Sequence, residues 1–164
     1  MSTIRQLHLA PGGFHFGAAP LHLSTLLGSC VTVTLWHPRR HIGGMCHIQF
    51  PRRTTHAAAL DGRYAEDAFA LFDQALERHG TCAHEYITKL FGGGNMFPGT
   101  GASTIDVGNK NLAAARRQLA ARHLKPAVEH VGGAGHRKLI FDLASGDVWL
   151  AFSNLEPLKE TASG

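Results

Sequence analysis

One alternating stretch constrains this chain more than any other. Val31, Val33 and Leu35 interleave with Thr32, Thr34 and Trp36. A period of two carried by β-branched residues is the pattern of a strand with two distinct faces. His37-Pro38-Arg39-Arg40-His41 follows and reads as a turn. Residues 43–50 read as the returning strand, stopped by Pro51. The result is a β-hairpin, and its register has a consequence. If Trp36 pairs with Gly43, Cys30 falls opposite Gln49. His47 is two residues from Gln49 and shares the face of Cys30, as a diagonal neighbour roughly 7–8 Å away at the backbone. A one-residue slip would put the two on opposite faces. The same alternation turns Cys46 the other way, as a small core residue.

The remaining segments surround this hairpin with helices and further strands. Residues 21–27 form a short apolar stretch ending at Gly28-Ser29. Residues 63–78 carry Ala68, Leu71, Phe72, Ala75 and Leu76 at helical spacing, with Asp61 as the expected N-cap and Gly80 as the stop. Residues 85–90 read as a strand broken by Gly92-Gly93-Gly94. A second helix over 108–124 places Leu112, Ala115 and Leu119 on one face. Strands follow at 127–131, 138–143 and 148–152, the last two joined by the turn Ala144-Ser145-Gly146-Asp147. The expected class is α+β: a single-domain layered α/β sandwich, with a largely antiparallel sheet covered by two main helices. All 164 residues fit one domain, with 1–10 and 158–164 peripheral or frayed.

Composition excludes several functions. The first residues lack an apolar signal region, and no run approaches the roughly 18 apolar residues of a membrane span. The expectation is a cytoplasmic protein without membrane insertion. Cys30, Cys46 and Cys82 form no CxxC pair, which points to free thiols rather than disulfides or a zinc site. Cys82 reads as structural. The formal charge is +4, with basic pairs at Arg39-Arg40, Arg52-Arg53 and Arg116-Arg117. These read first as solvated surface, and second as a face for an acidic partner or nucleic acid. No nucleic-acid motif supports the latter, so no nucleic-acid partner is expected. Gly92-Gly93-Gly94-Asn95 lacks the spacing of a phosphate loop and reads as a turn shaping a cleft. Gly132-Gly133 reads as another turn, and Arg137 after it as a surface charge or a polar clamp.

Cys30 is the candidate nucleophile. It follows Gly28-Ser29, where a tight turn can aim free backbone amides at one spot beside the thiol. A thiol needs a neighbouring base to react as a thiolate, and His47 can be that base. On the residues alone, an inert buried thiol is the stronger reading. The remaining histidines read as binding nothing.

The sequence Leu27-Gly28-Ser29-Cys30-Val31, followed by Gly43-Gly44-Met45-Cys46-His47 and Phe50-Pro51, resembles the chemoreceptor glutamine deamidase family CheD. So do Arg63-Tyr64, Lys89-Leu90-Phe91-Gly92-Gly93, Asn95-Met96-Phe97, Gly108 with Asn111 or Asn109, Gly132-Gly133 with Arg137, and the closing hairpin around Gly146. The resemblance spans nearly the whole chain. It implies hydrolysis of selected glutamine side chains to glutamate, with release of ammonia, on bacterial chemotaxis receptors. It implies Cys30 and His47 as the catalytic pair, with Thr25 as the third group and Ser24 as its alternative. The Ser29 and Cys30 amides would bind the oxyanion, and no cofactor or metal is implied. The partners implied are receptor cytoplasmic domains and, in some bacteria, the phosphatase CheC. A non-catalytic chemotaxis adaptor is the alternative function.

Overall fold

The computed structural model describes residues 3–99 and 106–155. The expectation for 158–164 lies outside the described residues. Among the described residues, nine strands and two helices build three layers. The strands are β1 (Gln6–Leu9), β2 (Phe14–Ala18), β3 (His22–Leu27), β4 (Val31–His37), β5 (Ile42–Cys46), β6 (Ile87–Gly92), β7 (Val128–Val131), β8 (Gly135–Asp142) and β9 (Val148–Asn154). The helices are α1 (Ala65–Arg78) and α2 (Val107–Ala121).

The expected hairpin, β4 with β5, is the centre of a five-stranded sheet ordered β2-β5-β4-β6-β7. Trp36 pairs with Gly43, so the condition placed on the register is met, and a bridge from Val31 to Ile48 carries the same register to the hairpin's open end. The sheet's two faces are used differently. Val31, Val33, Leu35, Cys46 and Ile48 pack against Phe69, Phe72 and Leu76 of α1 and Leu112, Ala115 and Leu119 of α2. Met45 and Phe91 point to the other side, where they meet a second sheet ordered β1-β3-β8-β9 through Leu23, Phe141, Leu27 and Leu139. The layers therefore run helices, five-stranded sheet, four-stranded sheet. Pairing is antiparallel except for β1 with β3 and β6 with β7. The Trp36 indole also ties the two sheets together, donating to the Leu143 carbonyl at 2.7 Å.

The α+β class is as expected, but the strands divide into two sheets. A hairpin pattern shows which strands pair, and not which sheet a distant strand joins. Strands β1 and β2 were not expected; both are short, and their mixed burial hides the period. Helix α1 begins later than expected, and Asp61 does not cap it. The Asp61 carboxylate is held by Arg63, while Tyr64 occupies the cap position in extended conformation without a side-chain cap. Tyr64 is also bridged to Phe50, so the chain enters the helix directly from a β-contact. Gly80 does stop the helix, at φ +65°, with its amide on the Glu77 carbonyl.

Candidate active site

Cys30 sits one residue ahead of β4, at the open end of the hairpin and between the two sheets. Register and alternation give it the face of Thr32 and Thr34, turned toward the four-stranded sheet, where it packs on the cluster of Leu27, Phe91 and Leu139. It is half-buried, and burial pushes its thiol up to about 11. The resting side chain is therefore a protonated thiol. Cys46 faces the helices as expected, fully buried, with its thiol pushed up to about 12 and its sulfur accepting from the Val33 amide. Cys82 is exposed, at the start of the short turn Ala83–Glu85.

His47 follows the last residue of β5 and is buried. Its backbone is fixed by Gly12 and Gly13: the Gly12 amide donates to the His47 carbonyl, and the His47 amide to the Gly13 carbonyl. Its ring is fixed from the other sheet. Thr25 of β3, with 0% exposure, brings Oγ1 to 2.7 Å from His47 Nδ1 and donates to the Leu9 carbonyl at 2.6 Å. These contacts assign the tautomer. The Leu9 carbonyl can only accept, so the hydroxyl proton belongs to it. His47 Nδ1 must then carry a proton and donate to Thr25 Oγ1. That leaves Nε2 with a free lone pair. Nε2 is buried and has no hydrogen-bond partner among the described residues. Burial holds His47 below its usual value of 6.5, so the ring is neutral at neutral pH.

Ser24 goes elsewhere. It lies on the opposite face of β3, and its hydroxyl meets His8 Nδ1 at 3.1 Å. The two candidate hydroxyls of the sequence thus belong to different histidines, and only Thr25 reaches His47.

The backbone at Cys30 is pinned from behind. Three consecutive carbonyls accept hydrogen bonds: Gly28 from the Gly94 amide at 3.0 Å, Ser29 from Asn111 Nδ2 at 3.1 Å, and Cys30 from the Gly93 amide at 2.8 Å. In a planar trans peptide the N–H points opposite to its C=O. The Ser29 and Cys30 amides therefore point away from the glycine loop and α2. Neither has an acceptor among the described residues. Asn111 is 0% exposed, and its amide also donates to the Gln49 carbonyl, so it ties both strands of the hairpin together at the site. The glycine loop is a wall rather than a phosphate cradle. Gly92 and Gly93 have φ of +108° and +68°, and a Cβ on Gly92 would collide with the Cys30 carbonyl.

Arg137 proves to be a clamp. It is 1% exposed, donates through Nη2 to the Gly132 carbonyl and through Nε to His130 Nδ1, and stacks over Phe152. The Gly132-Gly133 turn that it holds accepts the Asn95 amide at 2.7 Å. One contributor was missed in the sequence, and a second was named only as a motif residue of the resemblance, with Asn109 as its alternative. The Leu9 carbonyl carries no side-chain signal at all. Asn111 had one: an amide at a core-facing position of α2, between Gly108 and Ala115.

Together these groups provide a thiol, a neutral imidazole with one free nitrogen, and two outward-facing amides, which is the equipment for acyl transfer through a thioester. No group of three metal-ligating side chains occurs among the described residues, and no helix there is long and apolar enough to cross a membrane.

Residues 50–152 match the family model described as CheD chemotactic sensory transduction. That match begins just after His47, but similarity to individual proteins extends over the whole site. The chain is 53% identical over 152 residues to "Probable chemoreceptor glutamine deamidase CheD 3" of Dechloromonas aromatica (strain RCB), covering 92% of this chain and 89% of that protein. It is 44% identical over 156 residues to "Probable chemoreceptor glutamine deamidase CheD" of Pseudomonas fluorescens (strain SBW25), covering 94% and 88%. It is 36% identical over 157 residues to a CheD 1 of Leptospira interrogans (serovar Lai, strain 56601), covering 90% and 93%. With the family model matching most of its length and relatives at these identities covering nearly all of it, the chain belongs to the CheD family.

Proposed function

We propose that this chain is a protein-glutamine deamidase. It hydrolyses glutamine side-chain amides of chemotaxis receptors to glutamate, with Cys30 as nucleophile and His47 as base. The observation that carries this reading is the Leu9–Thr25–His47 relay, which leaves Nε2 as the free nitrogen of a neutral ring on the face that Cys30 shares.

In the first step Cys30 Sγ attacks the amide carbon as its proton passes to His47 Nε2. Because the thiol rests near 11 and the ring is neutral, proton transfer accompanies attack, and no thiolate–imidazolium pair stands ready beforehand. The carbonyl oxygen becomes an oxyanion held by the Ser29 and Cys30 amides. Collapse breaks the C–N bond. The imidazolium gives its proton to the leaving nitrogen, ammonia departs, and a thioester remains. Neutral His47 then takes a proton from water, hydroxide adds to the thioester, and the C–S bond breaks with the proton returning to sulfur. The product is glutamate. Throughout, Thr25 holds the ring in the Nδ1–H tautomer, and no cofactor takes part. The reaction belongs in the cytoplasm, on receptor cytoplasmic domains, and CheC is a candidate binding partner.

The test is incubation with receptor cytoplasmic fragments, followed by mass spectrometry for glutamine-to-glutamate conversion. Wild type is expected to convert specific glutamines, while Cys30→Ala and His47→Ala lose conversion by about 10³-fold or more. Conversion that survives Cys30→Ala would remove the thiol mechanism. Binding without conversion by wild type would favour an adaptor.

A further inference from the structure

Two of the basic pairs noted in the sequence are divided by the fold. Arg53 is turned inward, its guanidinium on Asp67 at 2.6 Å. Arg116 is paired with Glu129 on β7 at 2.5 Å. Their neighbours, Arg52 and Arg117, are exposed and have no ion pair or side-chain hydrogen bond among the described residues. These two leftover cations do not scatter. They line a single groove with Lys110, Pro51 and Ala113. Lys110 is likewise exposed and has no ion pair or side-chain hydrogen bond among the described residues. No carboxylate among the described residues lines the groove.

The groove is also built onto the candidate active site. Lys110, Ala113 and Arg117 form one exposed face of α2, and Lys110 and Arg117 stand about 10 Å apart along the helix axis. Asn111, next to Lys110, holds the Ser29 and Gln49 carbonyls. Pro51 and Arg52 directly continue the segment after β5 that carries His47 and Gln49. The groove thus adjoins both the helix that holds the Ser29 carbonyl and the segment that carries His47.

We propose that the groove of Arg52, Lys110 and Arg117 is the docking surface for an acidic stretch of the protein substrate. This rests on the deamidase reading above. Charge complementarity selects the occupant: three unpaired cations without a carboxylate repel a basic surface and leave a neutral one without compensation for their desolvation. Such a surface acts on encounter and affinity, and not on the chemical step.

The test uses chemoreceptor cytoplasmic fragments from the same bacterium and the full chain carrying Arg52→Ala, Lys110→Ala and Arg117→Ala together. All three side chains are exposed, so the fold should tolerate the change. The expected result is a KM raised roughly tenfold with kcat within about twofold of wild type. Raising salt from about 50 to about 300 mM should lower the wild-type kcat/KM steeply and leave the triple variant nearly flat. Equilibrium binding of the fragments to Cys30→Ala, with and without the triple change, is measured in parallel and requires no turnover. A triple variant with unchanged KM, unchanged affinity and an unchanged salt slope overturns the proposal, whether or not wild type is active. Tighter binding of a short DNA duplex than of any receptor fragment also overturns it. Groove-dependent receptor binding without wild-type turnover would sustain the docking surface and sink the deamidase reading instead.

Discussion

Strand β3 carries two hydroxyl–histidine pairs on adjacent residues and opposite faces. On the inner face Thr25 meets His47; on the outer face Ser24 meets His8. The local chemistry is nearly the same, a hydroxyl within 3.1 Å of an imidazole Nδ1 in both. The surroundings differ. Thr25 is fully enclosed and hands its proton to a backbone carbonyl, which fixes the tautomer of its partner. His8 is exposed, and among the described residues no second hydrogen bond holds its ring. A hydrogen bond alone therefore does not fix a ring's tautomer. Enclosure and a second acceptor do, because they remove the alternatives open to the ring and leave one nitrogen unmatched.

The largest effect expected from breaking this comparison is at Thr25. Thr25→Val keeps the shape and removes the proton relay, and kcat for receptor deamidation should fall by about 10²-fold, within the range that general acid–base groups contribute. Thr25→Ser should recover most of that loss. Loss of activity in both variants alike would mean that packing, and not the hydroxyl, is what matters.

Asn111→Ala comes next. It leaves the Ser29 and Gln49 carbonyls without a donor in a buried place, a loss of about 1–3 kcal/mol in stability by denaturant unfolding. Asn111→Asp would keep the volume while removing the donor, and should lower kcat as well. A variant as stable as wild type would show that the amide is dispensable.

Titration provides a smaller and sharper test. Burial lowers His47, so the acid limb of kcat/KM should lie below 6.5. The folded chain binds fewer protons there than the unfolded chain. The stabilising contribution of neutral His47 is thus complete above 6.5 and lost as pH falls through its lower folded value. Alkylation of Cys30, followed by site-resolved mass spectrometry to separate it from exposed Cys82, should keep accelerating with pH toward about 11. A plateau near neutral pH would reveal a standing thiolate–imidazolium pair.

The smallest effect belongs to the outer pair. Ser24→Ala should change kcat by less than about twofold, since its hydroxyl meets His8 and does not reach His47. A loss comparable to that of Thr25→Val would make the two faces equivalent.

Much of this site was legible in the sequence because alternation transmits along a paired strand. Alternation alone turns Cys46 and His47 to opposite faces, and the Trp36–Gly43 pairing, a condition in the sequence, is the register the structure has. The choice between Ser24 and Thr25 was not legible. Both are hydroxyls on one short strand, and which face turns inward depends on a second sheet, two of whose strands, β8 and β9, lie more than a hundred residues away. The relay's end was less legible still, since a carbonyl is the same at every residue. Asn111 was named only through the resemblance, with Asn109 as its alternative, although a polar group amid an apolar helix face is a local inconsistency of the kind that marks a functional or strained position.

The Leu9 carbonyl belongs to an edge strand that pairs with β3 alone. Under the proposed mechanism the fidelity of the base is thus leased from the least supported strand of its sheet. Turnover then becomes a gauge of how firmly β1 is seated: a perturbation that peels it away would silence the chemistry while Cys30 and His47 kept their own strands, and the unfolding curve would hardly register it.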